Sequence, residues 1–248
     1  TIEIIEGLVK RKEAITGIAS GFKKLDQKTA GFQASDLIIL AARPGMGKTA
    51  FALNILIHSG LTHDMSIGFF SLEMTKEQLM MRMLSAKSKI DFGNIRRGYL
   101  SETEFKKVVD AAEDLQKANI YIDDTPAITA LELRARTRRL KSDKDIDLLV
   151  VDYLQLMRGA AKSESREREI AEISSSLKAL AKELKIPIIA ISQLSRQTEA
   201  RSDRKPQLSD LRESGALEQD ADVVLFIHRA DAYTRNVEER DGIAEVII

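Results

Sequence analysis

The sequence predicts an α/β protein with a mainly parallel, twisted sheet and helices on both faces. Three observations carry that expectation. Short, nearly continuous apolar runs alternate with helical patterns along the chain. Most of those runs lack the polar alternation of a strand with one wet face, so both faces are expected to be covered. A Gly-rich turn joins the first of these runs directly to a helix.

Taken in order, Ile2, Ile5, Leu8 and Val9 recur at helical spacing among charged residues and predict an amphipathic opening helix, a connector from a preceding part. Thr1 is not a natural start residue, so the chain is expected to be a fragment. Asp36–Ala41 is a short apolar strand that runs into the Gly-rich turn and a helix from Lys48 to about His58. Ser66–Ser71 is the next strand. Thr75 to Gln78, Ser101 to Glu104 and Thr129 to Glu132 are capping boxes, each heading a helix. Asn119–Asp123, Asp147–Val151 and Pro187–Ser192 read as buried strands, with a long helix over Glu167–Leu184 between the last two. Asp222–Ile227 and Ala244–Ile248 complete the set. Gly159–Arg166 and Gln193–Ser209 read as loops, and no internal repeat is evident. The chain ends in an apolar strand, so the sequence is expected to continue.

Composition bounds the function. A length of 248 residues suits one large α/β domain, or one with a short appendage. Lys+Arg and Asp+Glu balance at 38 each, which excludes a broad basic face; any nucleic-acid contact must be a local cluster, or a ring of clusters made by oligomerisation. The absence of Cys excludes disulfides, thiolate metal sites and Cys nucleophiles. His58, His63 and His228 lie at no metal-ligand spacing. No apolar run approaches the roughly 20 residues that span a bilayer, and no signal segment opens the chain. No membrane contact and a cytoplasmic location are therefore expected.

The chemistry concentrates after the first strand. Ala42, Arg43, Pro44, Gly45, Met46, Gly47, Lys48 and Thr49 match the phosphate-loop pattern, with Ala42 in place of its first Gly. Gly47 lets backbone approach a phosphate closely, Lys48 neutralises the β and γ phosphates, and the Thr49 hydroxyl holds Mg²⁺. The helix N-terminus adds its dipole and free N–H groups. Asp152, at the tip of a buried strand, is expected to hold the Mg²⁺ directly or through water. Glu73 follows another strand and is the candidate base that orients or deprotonates the attacking water; an acid placed at a helix start for its dipole is the alternative. Gln193, at the end of a further strand, is a candidate γ-phosphate sensor, although an ordinary loop glutamine fits the pattern equally well.

The runs GFKKLDQKTAGF, AARPGMGKT, SLEM, DLLVVDYLQLM, ISQLSR and SDLRESGALEQDADVVLFIHR closely resemble the C-terminal motor domain of bacterial DnaB-type replicative helicases. The resemblance covers essentially the whole chain. It implies a RecA-like P-loop NTPase fold, with residues 1–12 as a linker helix that docks on a neighbouring subunit and 13–248 as the motor. It implies a homohexamer that uses ATP and Mg²⁺ to move along single-stranded DNA and unwind duplex. Primase and a helicase loader are implied as partners of the full-length protein. Within the resemblance, Lys48 and Thr49 look like the phosphate and Mg²⁺ ligands, Glu73 the catalytic glutamate, Asp152 the Mg²⁺-associated aspartate and Gln193 the γ-phosphate sensor. Arg82 resembles a basic residue facing the same nucleotide, and Arg196, Glu213 and Gly215 match loops that track the DNA backbone. Ala42 is common in the family. The family's trans Lys-x-Arg pair would follow a strand like Glu245–Ile248, beyond the last residue here.

Arg196, Arg201, Arg204 and Lys205 face only Glu199 and Asp203 within their own loop, and are expected to bind phosphates of single-stranded DNA around a ring. A solvated surface loop is the alternative. A RecA- or RadA-type recombination ATPase shares the fold and the nucleotide motifs, and a nucleotide-gated clamp would not need Glu73.

Overall fold

The computed structural model describes residues 15–157, 166–195, 198–199, 201, 203–234 and 241–248, apart from the side chains of 212–216. The expected opening helix and Arg196 lie outside the described residues. Seven strands form one sheet in the order β3-β2-β4-β5-β1-β6-β7. They are β1 (Leu37–Ala42), β2 (Ile67–Ser71), β3 (Ile120–Asp123), β4 (Leu148–Asp152), β5 (Ile188–Gln193), β6 (Val223–His228) and β7 (Glu245–Ile247). The first six pair in parallel, and β7 runs antiparallel to β6 at one edge. The predicted α/β class and all seven predicted strands are present.

The helices are α1 (Lys23–Thr29), α2 (Lys48–Thr62), α3 (Lys76–Ser88), α4 (Phe92–Arg97), α5 (Glu102–Lys117), α6 (Ala130–Lys144), α7 (Arg166–Leu184) and α8 (Gly215–Asp220). Side chains alternate across a strand, so β1 feeds two cores. Leu37, Ile39 and Ala41 pack with Ile173, Leu177 and Leu180 of α7 on one face. Ile38, Leu40 and Ala42 pack with Leu53, Ile55 and Leu56 of α2 on the other. All six residues of β1 are buried, which explains its unbroken apolar run. All three predicted capping boxes are formed, at Thr75, Ser101 and Thr129.

Each strand begins one residue later than the sequence predicts, and polar side chains account for several of the offsets. Asp222 Oδ2 accepts from Leu37 N at 2.7 Å, and Asp147 Oδ2 accepts from Ser66 N at 2.9 Å. These carboxylates do the work of a ladder bond at the strand entrance. Pro187 has no N–H to give.

Short helices escaped the sequence pattern. In α1 only Leu25 and Asp26 are buried, too few for a stripe. Asp26 is instead satisfied by Ser20 N at 2.8 Å and Ser20 Oγ at 2.6 Å.

Candidate functional site

The predicted nucleotide residues converge where parallel strands present their C-terminal ends, the usual ligand edge of such a sheet. The loop between β1 and α2 turns through Gly45 and Gly47, at φ of 78° and 97°. L side chains rarely adopt that region. A Cβ built on either glycine would meet nothing within 4 Å, so the loop borders open space. Phe51 N bonds back to Gly47 O at 2.8 Å, closing the first turn of α2. The N–H groups before it point out of the helix end without an intrahelical acceptor. This is an anion cradle built from backbone.

Lys48 opens α2 and is buried, with Nζ 3.2 Å from Glu73 Oε2. The same ammonium lies 4.5 Å from the centroid of the Tyr153 ring. Glu73 is brought there by β2, whose Ser71 pairs with Asp152 of β4; Leu72 N then donates to Asp152 O at 2.6 Å. Thr49 Oγ1 donates to Asp152 Oδ2 at 2.6 Å. A hydroxyl that gives its proton to a carboxylate turns its lone pairs outward, toward any cation.

Asp152 is fully buried, and its Oδ1 has no hydrogen-bond partner. Burial pushes its carboxyl above the usual carboxylate range, opposed by the Thr49 hydrogen bond and by the charges of Lys48 and Arg82. Burial also raises the Tyr153 phenol, helped by the charges of Glu73 and Asp152. A divalent cation fits this donor set, because a buried carboxylate oxygen without a partner calls for a positive group.

Arg82 is exposed on α3, its guanidinium 5.1 Å from the centroid of Phe92. Gln193 ends β5 and pairs laterally with Ala42, the first residue of the phosphate loop. Its backbone is held by Gln155, which the sequence reading left without a role. Gln155 Nε2 donates to Ser192 Oγ at 2.9 Å and to Gln193 O at 3.2 Å, and its Oε1 accepts from Gln193 N at 3.2 Å. Parallel pairing of β4 with β5 ends at Val151 and Ala190. Beyond that point the Gln155 amide supplies the pairing.

Arg43 departs from the other loop residues. Its guanidinium turns to Leu194 O at 2.8 Å and Glu199 Oε1 at 2.9 Å. Pro44 and Gly45 complete the turn, and Met46 is buried in the core under the loop.

The candidate DNA residues are largely engaged within the chain. Arg201 is bidentate to Asp210, with Nη1 at 2.7 Å from Oδ1. This pairing holds the Asp210 carboxyl below its usual range. Lys205 Nζ is 2.9 Å from Glu245 Oε2, and the Arg204 guanidinium lies 4.6 Å from the Tyr233 ring centroid. Asp210 and Glu245 lie outside the window over which the sequence balanced this loop's charge. Glu213 closes a 3₁₀ turn over Leu208–Ser214, and Gly215 begins α8. No group of three metal-ligating side chains occurs among the described residues, and no described helix is long and apolar enough to cross a membrane.

Comparison with known proteins agrees with this geometry. The chain is 50% identical, over its whole length, to the replicative DNA helicase DnaC of Bacillus subtilis, covering 55% of that protein. It is also 50% identical to the replicative DNA helicase DnaB of Geobacillus stearothermophilus, again covering 55%. The chain thus spans about half the length of the curated relatives it matches. A solved helicase ATPase domain superposes with a TM-score of 0.92 at 38% identity, covering 100% of this chain and 88% of that one. A DnaB-like replicative helicase studied with its primase superposes with a TM-score of 0.91 at 38% identity, covering 100% of this chain and 59% of that one. The fold is RecA-like α/β, as the resemblance implied. Residues 17–248 match the DnaB-like helicase C terminal domain, and the chain belongs to that family.

Proposed function

We propose that this chain is the ATP-hydrolysing motor of a replicative DNA helicase. The observation that carries the reading is the meeting of Lys48, Thr49, Glu73 and Asp152 in one contact network. Lys48 takes the negative charge of the β and γ phosphates, beside the N–H groups at the start of α2. Thr49 and Asp152 hold Mg²⁺, which supplies charge neutralisation to the transferred phosphoryl group. Glu73 orients and deprotonates the attacking water. The Lys48 ammonium beside it keeps Glu73 ionised and ready to accept a proton. Arg82 adds positive charge from α3. The Gln193 carboxamide senses the γ-phosphate at the mouth of the neighbouring strand.

Arg196, Arg201, Arg204, Lys205, Glu213 and Gly215 belong to segments that follow single-stranded DNA without reading its sequence. Phosphate contact dominates such binding. The working unit is a cytoplasmic homohexamer on one strand, with primase and a loader as partners of the full-length protein. The printed names of the relatives favour a helicase over a recombinase.

The test is ATPase and duplex-unwinding activity, with and without single-stranded DNA, for the wild type and Lys48→Ala. The variant is expected to lose roughly 100-fold or more in turnover, as when one preorganised donor to a developing charge is removed. Wild-type nucleotide affinity and hydrolysis in Lys48→Ala would refute the reading. Strand exchange without duplex opening would support the recombinase alternative.

A further inference from the structure

Leu194 is the first residue after β5, and the phosphate loop holds its peptide group from both sides. Its N–H donates to Ala42 O at 3.1 Å, and its carbonyl accepts from Arg43 Nη1 at 2.8 Å. The Nε of the same guanidinium donates to Glu199 Oε1 at 2.9 Å. The Arg43 side chain is only 10% exposed, against 43% for Glu199. A guanidinium so withdrawn from water needs its donors satisfied by the protein. Both partners lie on one segment, between the candidate γ-phosphate sensor Gln193 and the basic cluster Arg201–Lys205.

We propose that Arg43 is a positioning residue that carries the occupation of the phosphate loop into the segment running from Leu194 to Glu199. The inference rests on the reading of that loop as a nucleotide site. Arg43 is not positioned as a phosphate ligand, since Nε and Nη1 are already committed to Glu199 and Leu194. Guanidinium is planar and its donors keep a fixed angle. A shift of the loop backbone around Arg43 therefore moves the Leu194 carbonyl and the Glu199 carboxylate together. The Ala42 bond alone would fix only the start of the segment, whereas the Arg43 fork also reaches a point five residues further along. Two positions of the loop, with and without a polyphosphate, would then give two positions of the segment. This is the differential contact that any coupling between sites requires.

The chain has no cysteine, so a single introduced thiol reports cleanly. Asp203 is 54% exposed and lies just past the tie, and Asp203→Cys places the probe there. The rate of maleimide labelling would be measured with and without ATPγS and Mg²⁺. Binding of a fluorescent ATP analogue would be followed on the same samples. In the Asp203→Cys parent, nucleotide is expected to change the labelling rate about fivefold or more, the low end of ordinary coupling between sites. In the Glu199→Gln background the response is expected to collapse to within about twofold, with nucleotide affinity and melting temperature retained. Arg43→Lys keeps the charge but cannot hold two partners at once, and is expected to collapse the response as well. A full nucleotide response in Glu199→Gln would overturn the proposal. So would a parent that binds nucleotide yet labels at an unchanged rate. A parent that fails to bind the analogue would instead overturn the nucleotide reading itself, and this proposal with it, and the binding signal tells the two failures apart.

Discussion

The Thr49 hydroxyl is 2.6 Å from Asp152 Oδ2, so the first turn of α2 is hydrogen-bonded to the tip of β4 across the width of the intervening strand β5. This contact unites the two residues proposed to hold Mg²⁺ before any ion arrives. Thr49→Ser keeps the hydroxyl and is expected to preserve activity. Thr49→Val keeps the shape but removes the donor. It is expected to raise the Mg²⁺ concentration for half-maximal turnover by roughly 10- to 100-fold, the usual effect of disturbing a metal's supporting contacts. It should also cost about 1–3 kcal/mol of stability, because Asp152 loses its only side-chain donor in a buried place. A Mg²⁺ titration of ATPase rate and a urea melt read the two effects.

Glu73 meets the protein chiefly through Lys48, and its side chain remains 46% exposed. Glu73→Gln removes the proton acceptor and leaves the volume. Turnover is expected to fall by about 10²- to 10⁴-fold, the ordinary contribution of a general base. Nucleotide affinity should stay within a few-fold of the wild type. Single-turnover hydrolysis beside equilibrium binding checks the split. Unchanged turnover would remove Glu73 from the mechanism.

Gln155 is expected to matter more to rate than to binding. Its amide holds both polar groups of the Gln193 peptide and the Ser192 hydroxyl. Gln155→Ala should lower kcat of the ATPase with KM for ATP little changed. Gln155→Glu retains the acceptor and loses the donor, and should fall between the two. A rise in KM with constant kcat would show that Gln155 supports nucleotide binding rather than the sensor.

A fourth prediction concerns acid stability. The guanidinium groups of Arg138 and Arg134 hold the Glu183 carboxyl at about 2, below its model value of 4.5. The folded pKa is depressed, so the stabilisation is fully present above the unfolded value and is lost as pH falls through about 2. Between those two values the unfolded chain binds the extra proton, and stability declines with falling pH. Glu183→Gln should flatten that part of the profile and leave the region above it unchanged in slope. The pair is at the surface, so high salt should weaken the effect. Thermal melts from pH 2 to 6 at two salt concentrations measure both.

The strands and the phosphate loop were legible because their signals are local. An apolar run, a GKT turn and three capping boxes each declare themselves within a few residues. The proposed acids were legible for the same reason, since each stands at the end of its own strand. The parts that escaped depend on distant partners. Gln155 acts on residues more than thirty positions away, and Arg43 acts on Leu194 and Glu199 across most of the chain. No window of sequence shows such a pairing. The basic loop misled in one respect: its charge was balanced only against Glu199 and Asp203, while the fold brings Asp210 and Glu245 to Arg201 and Lys205. Helix α1 was missed because a polar residue, Asp26, occupies half of its buried surface.

The four adjacent strands β2, β4, β5 and β1 each deliver one component of the site from a different stretch of the chain. No partly folded intermediate that lacks any of these strands can grip the ligand as the native protein does. Bound nucleotide should therefore act after the rate-limiting step of folding, leaving the refolding rate nearly unchanged while slowing unfolding in proportion to its saturation. The ligand would then behave as a latch on the finished protein rather than as a template for building it.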